Sequence, residues 1–199
     1  MYNRLATRSS NMHRYMIHLK NIDCRTPKDA DSLLERARVL ISDPKVIVRD
    51  TRVSRRNIEF DTSIPDSKNV HEILEKLLAI SPVADYDQIV ESNMDKEDAI
   101  RRAKHLFDEE KYWQAHEVLE AVWKNSKGLE RDILNGIILV AAAFVHEQKN
   151  ETEICISILK RATAKFDKAS GVHYGIDIDA IANNLTKIIA TGRIEAFAL

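Results

Sequence analysis

The sequence predicts an α+β protein in two parts, a strand-and-helix half followed by an all-helical half. Three observations carry this. Segments whose apolar residues fall at every second position occur only before about residue 91. Beyond them, apolar residues recur at spacings of three and four, the helical period. Between Ile133 and Val145 only Asn135 and Gly136 interrupt an apolar run, and a helix apolar on all sides is normally buried on all sides. That run is shorter than the roughly 20 residues of a membrane span, and Glu130, Arg131, Asp132, Glu147 and Lys149 close it off.

At 199 residues the chain can bury one large or two small cores. Lys and Arg (30) nearly cancel Asp and Glu (31), so no global field draws it to nucleic acid or an anionic membrane. Cys24 and Cys155 stand far apart with no C-x-x-C pair. They are expected as free thiols in a reducing cytoplasm, a single disulfide being the alternative. Residues 1–11 are polar and Arg-bearing without an apolar core, unlike a secretory signal. They are expected as a disordered extension, with Met12 an alternative start.

Tyr15, Ile17 and Leu19 alternate with Met16, His18 and Lys20, a half-buried strand. Thr26-Pro27-Lys28-Asp29 offers an N-cap, a first-turn proline and an acid three residues on. Leu33, Leu34, Ala37, Leu40 and Ile41 follow at helical spacing until Asp43-Pro44. Residues 46–53 and 57–62 read as strands around a turn at Ser54-Arg55-Arg56. Asp66 or Ser67 is expected to cap a second helix carrying Val70, Ile73, Leu74, Leu77 and Leu78, and residues 83–90 form a last strand. The order β-α-β-β-α-β over residues 12–91 is that of a ferredoxin-like domain, an antiparallel sheet with both helices on one face.

Ser92-Asn93-Met94 is expected to join this domain to an all-helical domain over residues 94–199. A capping box at 92–95 opens a helix through Glu110. Residues 112–126 form a second helix, and the apolar run lies in a central third. Asn150 opens a fourth, residues 169–175 form a loop, and Asp177 caps a fifth. Five helices with short connections make a bundle or stacked hairpins.

The ferredoxin-like order does not fix a function. An RNA-recognition module shares it, but Glu59 and Asp61 would present acids on the sheet face opposite Ile58 and Phe60. Nucleic acid is therefore a disfavoured partner. Arg49, Arg52, Arg55 and Arg56 read as a solvated hairpin tip, the alternative being an anion or RNA-backbone contact.

The segment from Tyr112 to Trp123 holds the candidate site. On a helix Tyr112, Ala115, His116, Leu119, Val122 and Trp123 share an inward face, flanked by Glu120, while Glu117 points nearer to solvent. Asn135, Ala142 and His146 form one stripe of the central helix. Two readings follow. His116–Glu120 and His146–Asn135 are satisfied hydrogen-bond networks that fix helix packing. Alternatively His116, Glu120 and His146 ligate a divalent metal and Glu117 is the general base of a hydrolase. The zinc-protease pattern H-E-x-x-H needs a second His where Glu120 stands.

These residues resemble a known family. Phe107, Tyr112, Ala115-His116-Glu117-Val118-Leu119-Glu120 and Trp123 are similar to the signature of the helical domain of unknown function 309. Gly136, Ala141 to Ala143, His146, Asn150 and Tyr174-Gly175-Ile176-Asp177 continue the likeness. Asn135 and Leu139 stand where the family favours Gln, and Lys149 where it favours Gly. The resemblance implies an all-helical fold and a cytoplasmic protein, and no activity. The expected function is thus a module binding a small molecule or a protein partner, with Tyr112, His116, Glu120, Trp123, Asn135 and His146 as pocket or motif. A metal-dependent hydrolase and an RNA- or nucleotide-binding protein are the alternatives. A free sheet edge is compatible with a homodimer.

Overall fold

The computed structural model describes residues 11–90 and 94–199. The expectations for residues 1–10, for a cap at Ser92 and for the joint at Ser92-Asn93 lie outside the described residues.

Strand β1 (Met12–Lys20) leads into a 3-10 turn, Pro27–Asp29, and helix α1 (Ala30–Ile41). The Asp29 carboxylate accepts from the Thr26 amide and hydroxyl, closing the helix start as its sequence requires. β2 (Ile47–Val53), β3 (Asn57–Pro65), α2 (Val70–Leu77) and β4 (Val83–Gln88) follow. The strands lie in the order β2-β3-β1-β4 with every pair antiparallel. This is the expected ferredoxin-like arrangement. The cap of α2 is Asn69, which accepts from the His71 amide, and not Asp66 or Ser67. β3 runs three residues further than its alternation reads, because Ser63, Ile64 and Pro65 still pair with β1.

Ile17, Leu19, Ile58, Phe60, Val48 and Val53 form one face of the sheet, packed with Leu33, Ala37 and Ile41 of α1 and Ile73 and Leu77 of α2. The β2 edge is capped at two backbone groups. Arg38 of α1 donates to the Val48 carbonyl (2.9 and 3.1 Å). The Val53 amide donates to the Gln148 carbonyl (2.9 Å). Occupied edge groups are withheld from pairing with another strand.

The second half consists of α3 (Lys96–Asp108), α4 (Tyr112–Trp123), α5 (Gly128–Glu147), α6 (Thr152–Phe166) and α7 (Ile178–Thr191). Each packs on the next along the chain, a run of hairpins around the central α5. Asp95 caps α3 by accepting from the Glu97 and Asp98 amides. The expected loop before the last helix contains a two-stranded ladder, β5 (Val172–His173) with β6 (Ile176–Asp177), turned at Tyr174-Gly175. Gly136 is dictated by packing, since a Cβ there would sit 2.5 Å from the Phe166 ring. The central helix is not buried on every side: Asn135, Leu139, Ala142, Val145 and His146 are half-buried and form one stripe. After α7 the chain lays Ile194, Ala196, Phe197 and Leu199 back on the helical core. Cys24 is exposed and Cys155 buried, both as free thiols. No helix among the described residues is long and apolar enough to cross a membrane.

Candidate ligand site between the two halves

The sheet's second face is charged, and the helical half covers it. Alternation sends Arg14, Met16 and His18 of β1 to this face, with Glu59 and Asp61 of β3, Arg52 of β2 and Asp85 of β4 beside them. Arg14 Nε donates to Asp61 (2.8 Å), and Arg52 pairs with Glu59 and with Asp50. His18 is fully buried between Glu59 (3.0 Å) and Asp85 (2.7 Å). Burial works to lower the His18 pKa, but the hydrogen bonds to Asp85 and Glu59 outweigh it and raise it to about 8. Burial likewise works to raise Glu59, yet the Arg52 charge and His18 hold it down at about 2. The His18 hydrogen bond, aided by Lys111, holds Asp85 at about 2.

The start of α4 docks on this face. Trp113 lies over the Arg14 guanidinium (4.5 Å) and near that of Arg52 (5.7 Å). Gln114 donates to Asp87 (2.9 Å) and Lys111 to Asp85 (2.8 Å). Glu110 adopts φ +60°, a left-handed geometry unusual outside glycine. That turn aims its carboxylate at the β2–β3 turn, where it accepts from the Arg55 amide (2.9 Å) and guanidinium (2.8 Å). Arg56 pairs with Glu109 (3.0 Å), and Asn57 donates to the Glu109 carbonyl (2.9 Å). The tip arginines Arg55 and Arg56 are exposed, as expected of a solvated tip, but the cluster also makes specific contacts. Arg52 is buried, Arg55 and Arg56 are bound to carboxylates of the other half, and Arg49 donates to the Ser63 hydroxyl (2.8 Å).

Beside this clamp lies a cavity of about 400 Å³. One side is the β1–α1 connection with Val53 and Arg55; the other is Glu110, Tyr112, the end of α5 (Phe144, Glu147) and Ile194 and Ala196 of the tail. The Tyr112 ring stacks on Phe144 (4.8 Å between centroids), and both wall the cavity. Tyr112 is 2% exposed, and its hydroxyl has no hydrogen-bond partner among the described residues. Burial foremost raises its pKa, so it stays protonated. Burial also raises Glu147.

The predicted site residues divide among three places. Tyr112 alone enters the cavity. Glu117 and Glu120 line a separate groove with Trp113 and Gln114. His116 is half-buried and its nearest acid is Glu117 (3.4 Å), whose pKa its hydrogen bond lowers, away from the neutral range that suits a general base. His146 pairs with Glu151 (2.5 Å) one turn beyond its own helix. Trp123 lies against Arg131 (4.2 Å), and Asn135 stays half-buried on the exposed stripe of α5. His116, Glu120 and His146 are thus not gathered. Among the described residues no group of three or more His, Cys, Asp or Glu side chains is placed to hold a metal ion. The reason is geometric. The α4 face that meets the core is Tyr112, Ala115 and Leu119, so His116 and Glu120 fall on its flank.

Reading the sequence missed His18, Glu110 and the cavity. Ionisable residues alternating with apolar ones in β1 and β3 mark a charged face, but nothing local says what covers it.

No curated protein matches the chain. A crystal structure of a conserved hypothetical protein from Thermus thermophilus aligns with 25% identity and a TM-score of 0.41, covering 46% of this chain and 95% of that one. Residues 100–158, which hold most of α3, all of α4 and α5 and the start of α6, match the family described as domain of unknown function (DUF309), as the His-Glu-x-x-Glu-x-x-Trp segment leads one to expect.

Proposed function

We propose that the protein is a small-molecule-binding module whose site is the cavity between its two halves. The observation that carries this is the cavity of about 400 Å³ itself, walled from both halves and lined by the stacked rings of Tyr112 and Phe144. Small-molecule sites are typically concave, largely apolar, supplied with a few polar groups, and common where domains meet. No comparable observation favours a hydrolase built on His116, Glu120 and His146. Of the arginines offered for RNA contact, Arg52, Arg55 and Arg56 are already paired with carboxylates.

Ligand-observed NMR of a fragment library tests the proposal, with wild type beside Ala196→Trp, which fills the cavity from the tail. Saturable fragments bound by the wild type and lost in the variant are expected. Absence of saturable hits, or hits indifferent to the substitution, contradicts it.

A further inference from the structure

The walls of the cavity are unequally tied. The β1–α1 connection is held by Asn21, whose amide donates to the Arg25 and Ser54 carbonyls (2.8 and 2.7 Å). The β2–β3 turn is held by Glu110, which accepts from the Arg55 amide and guanidinium. The end of α5 is held through Gln148, which donates to the Glu110 carbonyl (2.7 Å) and accepts from the Val53 amide (2.9 Å). The wall formed by Ile194 and Ala196 is built differently. Among the described residues, 193–199 make no backbone–backbone hydrogen bond. Their amide ties are Arg193 to the Thr191 hydroxyl (3.2 Å) and Leu199 to the Asp108 carboxylate (2.9 Å). The Lys187–Glu195 pair is exposed and adds little. Gly192 ends α7 at φ +67°, with open space where a Cβ would stand, and supplies a pivot. The Phe197 ring packs on Phe107 (5.9 Å) and Phe144 (5.6 Å), and Phe144 in turn stacks on Tyr112 in the cavity wall.

We propose that residues 193–199 are a strap that gates the cavity, pivoting at Gly192, latched by Phe197 and Leu199, and covering the site with Ile194 and Ala196. The proposal rests on the cavity being a ligand site and names how that site opens. Local opening costs least where backbone bonds are few and side chains only partly buried, and lids are drawn from such segments. Lifting the strap breaks no backbone ladder, whereas opening at Asn21, Glu110 or Gln148 breaks the hydrogen bonds that join the two halves.

Stopped-flow fluorescence with anilinonaphthalene sulfonate as the probe tests this in the full chain carrying Cys24→Ser, Asp108→Cys and Leu199→Cys. Oxidation joins the latched end of the strap to α3, and reductant releases it in the same protein. Cavity binding is the part of the signal lost when Ala196→Trp is added. The oxidised form should slow both association and dissociation of the probe about tenfold or more, with reductant restoring them. Phe197→Ala in the otherwise unaltered chain should speed both. Equal rates in the two redox forms overturn the strap and leave the cavity a ligand site. A signal that survives Ala196→Trp lies outside the cavity, and no saturable signal leaves nothing to gate. Either result overturns the strap, and the fragment screen then decides the cavity separately.

Discussion

On one face of the sheet Ile17, Leu19, Ile58 and Phe60 meet the apolar sides of α1 and α2. On the other, Arg14, His18, Arg52, Glu59 and Asp61 lie under α4 in a set of ion pairs. The faces are two sides of the same alternating strands, covered by opposite means. Apolar burial is non-directional and stabilises in proportion to area. Buried ion pairs add little over apolar residues of equal volume, but losing one partner is expensive. Their geometry is also directional: each carboxylate accepts only where its donor stands. The pairs that cross to the helical half, Lys111–Asp85, Gln114–Asp87, Arg55–Glu110 and Arg56–Glu109, therefore set its docked pose, and with it the cavity walled from both halves.

Four substitutions or titrations sharpen this contrast. Phe60→Ala on the apolar face should cost most, about 4 kcal/mol, read as a lower urea midpoint. Glu59→Gln on the charged face should cost about 3 kcal/mol, because Arg52 and His18 stay buried and each loses one of its two carboxylate partners, keeping only Asp50 and Asp85. A loss under about 1 kcal/mol would mean that the network is solvated. Next comes the pH profile. His18, raised from 6.5 to about 8, contributes fully below pH 6.5 and loses that contribution as pH rises through 8. Glu59 and Asp85, held at about 2, contribute above their ordinary values of 4.5 and 3.8 and lose it as pH falls toward 2. Stability should thus be greatest between about pH 5 and 6.5 and fall by about 2 kcal/mol toward pH 9, a decline that His18→Gln should flatten. Exposed Arg56→Ala should cost least, below about 1 kcal/mol, and the difference should shrink in high salt.

How much of this was legible depended on what each residue answers to. Period-two alternation around Ile17 and Phe60 and period-3.6 spacing around Leu33 and Ile181 are local, and they revealed every major element and the order of the strands. The two-residue strands around Tyr174 were too short for either period. Caps were less legible: Asn69 and Asp95 displaced nearby candidates because several Asx and Ser residues precede each helix. The candidate site was read partly, through Tyr112. His116, Glu120 and His146 carry metal-ligand chemistry in their types, but helical phase and the half-covered stripe of α5 keep them apart. Arg55 and Arg56 are exposed as their run suggests, but the burial of Arg52 and the acid partners of all three, Glu59, Glu110 and Glu109, could not be read locally because those partners lie on other elements. A cavity shared by residues 21–27, Tyr112 and Ala196 is a tertiary fact with no local signal.

The central claim is that the start of the His-Glu helix clamps the two halves into one cooperative unit. Equilibrium unfolding in a Trp123→Phe background tests it most directly, because Trp113 then reports from the clamp alone. Trp113 fluorescence and far-ultraviolet circular dichroism should trace a single coincident transition in urea. A fluorescence change that precedes the loss of secondary structure would show the halves separating while still folded, and would contradict the clamp.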